Sequence, residues 1–269
     1  MVYPKNWHLN HIPWGRFYAD ARGCPFIISW CHRVSGLLLV GYVWFHIYTL
    51  RILSSPPIYD ATMRFYSFSF SRILEWALAI PAIFHTFNGG RLILYEIFGY
   101  RNDASMICWM LGLSFGYLML LAFFMLLGSQ NVSPVFFWLI TLVAGVVFAY
   151  RVASKMWRIP HSLSWKFQRI TGAYLLILIP AHLLFMHLNH GMAHDATTVI
   201  LRMQNPFIKG LNIILILGVL YHGGYGLWSL IGDYIGSKRY RLALGALVLI
   251  IMGSLAFVGI KLTLLVLHS

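Results

Sequence analysis

The chain has 269 residues; 59% are hydrophobic, 10% are charged, and the formal net charge is +13. So apolar a chain excludes a soluble globular domain and reads as all-α, a polytopic transmembrane helical bundle. Nucleic acid is excluded as a partner too, because the lysines and arginines punctuate the apolar runs instead of gathering on one polar face.

Residues 1–26 are polar and aromatic, and lack the short apolar core and cleavage site of a signal peptide. They are expected to form a cytoplasmic N-terminal arm, an ordered cap or docking segment. Seven spans are predicted to follow, at roughly 27–52, 70–98, 105–128, 134–155, 167–190, 206–235 and 240–267. Each is near the length that crosses about 30 Å of hydrocarbon at about 1.5 Å per residue. Pro57, Pro134, Pro160 and Pro206 fall in loops or at helix starts. Pro81 and Pro180 fall inside spans, where neighbouring helices can cover the freed carbonyls. With the N-terminus inside and the C-terminus outside, fourteen of the twenty lysines and arginines lie at cytoplasmic ends. The opposite orientation inverts that bias, so the N-in arrangement in an inner membrane is the expected one. The three cysteines form neither CxxC nor CxxCH, so no covalently attached c-type haem is signalled.

The chain repeats itself. SWCHRVSGLLLVGYVWFH at 29–46 aligns with WKFQRITGAYLLILIPAH at 165–182, matching Arg33 to Arg169, Ser35 to Thr171, Gly36 to Gly172 and His46 to His182 at an offset of 136. HTFNGGRLILYEIFG at 85–99 aligns with HGGYGLWSLIGDYIG at 222–236, matching His85 to His222 and Glu96 to Asp233 at an offset of 137. Two ordered matches, carried by the rare polar residues, argue for a duplicated three-helix unit. The units are expected at 27–128 and 161–269. Two units of the same orientation need one extra crossing between them, and the connector at 129–160 supplies it. That helix carries no histidine and no acidic residue, which suits a position at the rim.

Ionisable residues inside a bilayer are costly and usually functional. A single membrane histidine is often no more than hydrogen-bonded to the next helix, but here four are paired by the repeat. His46 lies thirteen residues beyond Arg33, roughly 19 Å along the helix, toward the outer side. His182 shares that height. His85 and His222 lie past the midplane on helices that run back inward. Two inward-facing pairs at two depths suit bis-axial haem ligation. Glycines such as Gly36, Gly172, Gly89 and Gly226 could admit a macrocycle, or serve close helix packing. Zinc is disfavoured, because no further carboxylate or thiolate lies at either depth. His187, His190 and His194, at the outer end of the fifth span, read as interfacial, with His187 and His190 within reach of a haem propionate.

SWCHRVSG followed by HTFNGGRLILYEIFGY resembles the larger membrane-anchor subunit of succinate dehydrogenase, and FQRITG followed by HGGYGLWSLIGDYI resembles the smaller one. The chain is thus similar to the two anchors of a succinate:quinone oxidoreductase, or of the related quinol:fumarate reductase, fused through one connector. The resemblance implies two haem b groups. His85 and His222 would be axial ligands of the haem nearer the hydrophilic subunits, and His46 and His182 those of a distal haem. His32, Arg33 and Arg169 match residues near the proximal propionates and the quinone. Ser29, Arg33, Asp233 and Tyr234 match a quinone pocket. Tyr234 and Ser29 would donate hydrogen bonds, Arg33 would stabilise a developing anion, and Asp233 would relay protons. Two-haem members are otherwise two subunits or a five-helix chain, so a seven-helix fusion is intermediate. The implied quinone is menaquinone ahead of ubiquinone. The chain shows no flavin fingerprint and too few cysteines for clusters, so a flavoprotein and an iron–sulfur subunit are the implied partners, and the chain is a redox module, not an enzyme alone. Two rivals remain at this stage: a di-haem anchor of a hydrogenase or other dehydrogenase, and a transporter whose histidines relay protons.

Overall fold

A computed structural model describes residues 24–66, 69–127, 130, 132–188 and 195–265. The expected arm at 1–26 falls almost entirely outside the described residues, as do His190 and His194.

The described residues are helical throughout, without strands. In chain order the helices are α1 (Cys24–Arg51), α2 (Pro56–Tyr66), α3 (Ser69–Glu96), α4 (Asp103–Leu126), α5 (Pro134–Met156), α6 (Leu163–Leu188), α7 (Ala196–Gln204), α8 (Pro206–Tyr234) and α9 (Lys238–Leu265). Seven of these, all but α2 and α7, are long and apolar enough to cross a membrane. Their limits fall where the local chemistry stops or starts a helix. Asn102 and Ser133 cap α4 and α5 with side-chain acceptors, and Asn205 caps α8 just before Pro206. After α3 the chain turns through Gly99 at φ +75°, a left-handed conformation that glycine adopts without steric cost, and the Tyr100 amide bonds back to the Leu94 carbonyl.

Helices α2 and α7 differ from the sequence expectation, which left both segments as loops. They are short amphipathic helices at matching places in the two units, each between the first and second spans. The repeated unit is therefore span, interfacial helix, span, span. The two interfacial helices pack together through Tyr59, Ala196, Val199 and Met203, with Leu53 from the turn before α2 and Leu262 of α9.

The packing forms a ring of four helices. α1 lies against α3, α3 against α6, α6 against α8, and α8 against α1. These are the four helices that carry the paired histidines. α4 packs outside α3, and α9 outside α8, so the two units are arranged alike. The connector α5 packs along α6, where Gly145 accepts the close approach of the buried Leu178. It does more than line the rim, because its buried Trp138 reaches in beside His182. Tyr117 of α4 donates to the Pro180 carbonyl of α6, tying the first unit to the second. Outward surfaces are apolar: Phe115 and Phe123 on α4, Val143 and Val147 on α5, and Leu249 and Phe257 on α9 are all exposed. A surface of this kind is stable only against hydrocarbon.

A valine at Gly145 should force α5 away from α6. Overpacking of this kind costs about 1–3 kcal/mol, and thermal unfolding in detergent should register it as a lowered midpoint. Gly112→Val on α4, where an added Cβ meets nothing within 4 Å, should leave the midpoint nearly unchanged. Equal midpoints for the two variants would refute the contact.

Candidate functional site

The inner histidine pair is built from the backbone of two neighbouring helices. His85 on α3 and His222 on α8 face one another with ring centres 6.3 Å apart and planes at 90°. The Nδ1 of His85 lies 3.1 Å from the His32 carbonyl, and that of His222 lies 3.3 Å from the Gln168 carbonyl. A carbonyl only accepts, so Nδ1 carries the proton in both rings and Nε2 keeps its lone pair. His32 and Gln168 occupy equivalent positions at the repeat offset of 136.

Each accepting carbonyl points along its helix toward the residue four positions on, which is Gly36 or Gly172. A Cβ at Gly36 would sit 3.0 Å from Cε1 of His85, and one at Gly172 would sit 3.1 Å from Cε1 of His222. The missing side chain is what lets the imidazole reach a carbonyl already engaged in the helix. The Ser35 hydroxyl donates to the same His32 carbonyl and lies 3.2 Å from Nδ1 of His85. His32 itself stacks on His85, with ring centres 4.0 Å apart and planes at 5°, and its buried Nδ1 has no hydrogen-bond partner among the described residues.

The outer pair joins α1 to α6. His46 and His182 have ring centres 6.4 Å apart and planes at 79°. Aromatic rings hold them: Tyr42 stacks on His46 at 5.6 Å, and Trp138 lies 6.1 Å from His182. Ten residues of α6 separate Gly172 from His182, so the two pairs lie about 15 Å apart along the helix.

Beyond the inner pair, two ion pairs cross between the units. Arg33 of the first unit meets Asp233 of the second at 3.2 Å. Arg169 of the second unit makes a two-pronged contact with Glu96 of the first, at 2.7 and 3.1 Å. Arg33 also donates to the Tyr234 hydroxyl, and its guanidinium lies 5.5 Å from the centre of that ring. Ser29 is exposed, one turn before Arg33 on the same face of α1. The structure therefore brings Arg33, Asp233 and Tyr234 into one cluster with Ser29 at its edge, while Arg169 belongs to the matching cluster with Glu96. A third arginine, Arg91, is buried; it donates to Asn88 and pairs with Asp103.

Several residues of the site carry no motif. The Gln168 carbonyl acts through the backbone, and no side-chain pattern marks it. Trp138 sits in the connector, which contributes none of the repeated polar residues. Glu96 was visible as the repeat partner of Asp233, but its ion pair with Arg169 depends on how the units cross.

The transmembrane-subunit family of succinate dehydrogenase and fumarate reductase matches the chain in two segments, residues 22–120 and 149–260. The gap between them covers the end of α4 and most of the connector. Among curated proteins, the succinate dehydrogenase 2 membrane subunit of Mycobacterium tuberculosis is 33% identical over 102 residues, 36% of this chain and 74% of that protein. A succinate dehydrogenase hydrophobic membrane anchor subunit from Archaeoglobus fulgidus is 33% identical over 88 residues, 32% of this chain and 73% of its own length. Its counterpart from Coxiella burnetii is 27% identical over 88 residues, 33% and 75% of the respective chains. No solved structure matches the chain. Each of these relatives corresponds to about one unit of the present bundle in length, and the family pattern extends over both segments. The chain belongs to the succinate dehydrogenase/fumarate reductase transmembrane-subunit family, and it is a multi-pass membrane subunit of such a complex.

Proposed function

We propose that this subunit carries two haem b groups, one on His85 and His222 and one on His46 and His182, and passes electrons between cytoplasmic flavin and iron–sulfur subunits and membrane quinone. The observation that carries the proposal is the ring spacing. A metal bound by two imidazoles at about 2.0–2.1 Å, with about 1.1 Å more from each nitrogen to its ring centre, needs centres about 6.2–6.4 Å apart. The inner and outer pairs stand at 6.3 and 6.4 Å.

The donor chemistry supports the same group. In the inner pair Nδ1–H is committed to a carbonyl, which leaves Nε2 as the ligating atom and raises its basicity. Among the described residues no cluster of three or more His, Cys, Asp or Glu side chains could hold a metal. Two protein ligands per site suit an iron that brings its other donors with it. Bound haem supplies a one-electron ferric–ferrous couple, and the chain's own residues supply position and charge.

The cluster of Arg33, Asp233 and Tyr234, with Ser29, is proposed as the quinone site. Reduction of a quinone adds two electrons and two protons. The Tyr234 and Ser29 hydroxyls donate to the quinone oxygens, and Arg33 stabilises negative charge as it develops there. Asp233 orients Arg33 through their ion pair, and as a partly exposed carboxylate it takes protons from the aqueous side. The cluster lies next to the inner pair, because Arg33 follows the His32 that stacks on His85. The charge bias of the loops supports a cytoplasmic position for this end, the side on which the flavoprotein and iron–sulfur subunits would dock. Menaquinone is the favoured quinone.

The purified complex should show two b-type haems for each copy of this chain in reduced-minus-oxidised spectra. His46→Ala should remove one and leave the other, and His85→Ala should do the converse. Ring planes at 90° and 79° would keep the dπ orbitals of a bound iron nearly degenerate, so the ferric centres should give strongly anisotropic low-spin resonances. Absence of a b-type band, or loss of both haems from either single substitution, would count against the assignment.

Tyr234→Phe and Asp233→Asn should each slow succinate-driven quinone reduction roughly 100-fold, the scale of a lost proton donor or relay. Electron transfer from succinate to a soluble dye, which bypasses this subunit, should keep its rate. Unchanged quinone turnover in both variants would remove the site from this cluster.

A further inference from the structure

Two polar side chains at the outer end of the bundle take no part in the haem ligation or the quinone site. Tyr59 lies on α2 and Arg202 on α7, the equivalent interfacial helices of the two units. The helices are locked to each other. Asp60 of α2 accepts the amide of Ala196, the first residue of α7, at 2.9 Å, and Asp195 caps the same turn through Thr198. Tyr59 and Met203, the residue after Arg202, share one buried cluster. Arg202 thereby lies at the outer end of α6, beside Phe185.

Its place there is specific. The guanidinium carbon lies 6.0 Å from the centre of the Phe185 ring. Phe185 sits on α6 one turn beyond His182 and packs on Trp138, which also flanks His182. Burial pushes the guanidinium below its ordinary value and the Tyr59 phenol above its own, with Arg202 partly opposing the second shift. Both groups are therefore held in a poorly solvated place beside the outer histidines.

We propose that Arg202, with the Tyr59 hydroxyl beside it, binds the carboxylates of the haem held by His46 and His182. The proposal rests on the two-haem reading. A haem carries two carboxylates, and carboxylates at the edge of a membrane bundle need a cation and hydrogen-bond donors. Arginine meets that need with a planar fork of donors that stays charged under desolvation. At the inner pair the same role can fall to Arg33 and Arg169, each within one residue of an accepting carbonyl. At the outer pair, Arg202 is the guanidinium packed against the aromatic wall of the site, and the interfacial clamp gives a reason for the two short helices to meet there.

The test is a potentiometric titration of the haems in the intact complex, with haem counted chemically. Arg202→Gln removes the positive charge that would offset the carboxylates beside one haem, and so disfavours its ferrous form relative to the ferric. The expected result is a lower midpoint potential for one component, or loss of that haem, with the other component unmoved. Arg202→Lys should fall between Arg202→Gln and the parent. Arg64→Gln, which removes a cation from α2, should move neither component. In the His46→Ala background, where the outer haem is absent, Arg202→Gln should have no effect on the haem that remains. If Arg202→Gln fails to assemble, Tyr59→Phe carries the test, with a smaller downward shift confined to the same component. Two haems in the parent complex with both potentials unmoved by Arg202→Gln, or by Tyr59→Phe where it stands in, would overturn the proposal. Equal shifts from Arg64→Gln and Arg202→Gln would do so as well. Fewer than two haems in the parent would instead show that the two-haem reading had failed first.

Discussion

The carbonyls of His32 and Gln168 each accept an imidazole proton from the neighbouring helix, and much of the bundle follows from those two contacts. A helix carbonyl is normally shielded by the side chain four residues on. Here that residue is Gly36 or Gly172, and the imidazole occupies the space a Cβ would take. The bond fixes the tautomer, and the tautomer leaves Nε2 with the free lone pair. It also fixes how closely α3 approaches α1 and how closely α8 approaches α6. A buried, unpaired imidazole N–H in hydrocarbon costs several kcal/mol or more, so a helix pair that loses this contact loses its register.

The second constraint is electrostatic, and it acts between the units. Arg33 pairs with Asp233 and Arg169 with Glu96, so each arginine is neutralised by the acid of the other half. Helices so joined cannot separate without exposing charge. The two clusters are equivalent in charge and different in chemistry. At the repeat offsets, Ser29 corresponds to Trp165 and Tyr234 to Ile97. The hydroxyl donors on the Arg33 side therefore have no counterparts on the Arg169 side, where the guanidinium instead lies 5.0 Å from the centre of the Trp165 ring. The two ion pairs are therefore alike in charge, and only the Arg33 pair has hydroxyl groups beside it.

What was legible in the sequence follows the same physics. The seven spans stand out because hydrocarbon tolerates few polar residues, and the repeat stands out because the polar residues that survive are the shared ones. The offset changes from 136 to 137 between the two motifs, so a one-residue difference falls in the segment that contains α2 and α7. Those helices were missed for a physical reason. They are 11 and 9 residues long, too short to cross a membrane, and each buries a narrow face. Trp138 was missed because a connector without polar residues offers no sign of the side on which it packs. The ion pairing across units, and the stacking of His32 on His85, depend on tertiary crossing and leave no local pattern.

Helix α6 ties the two histidine levels to one another. It carries the Gln168 carbonyl and Gly172 that set the inner pair, and His182 of the outer pair. Both levels are thus fixed on one rigid element about 15 Å apart, roughly half the thickness of the hydrocarbon core. The same helix packs against α3, α4, α5 and α8, and Tyr117 holds its Pro180 carbonyl two residues before His182. A helix with an internal proline is prone to bend, and a bend at this point would move one histidine level relative to the other. Anchoring that turn from α4, and backing it with Trp138 from the connector, keeps the two levels in a fixed relation. The extra crossing needed to join two like-oriented units also supplies part of the wall of the outer site.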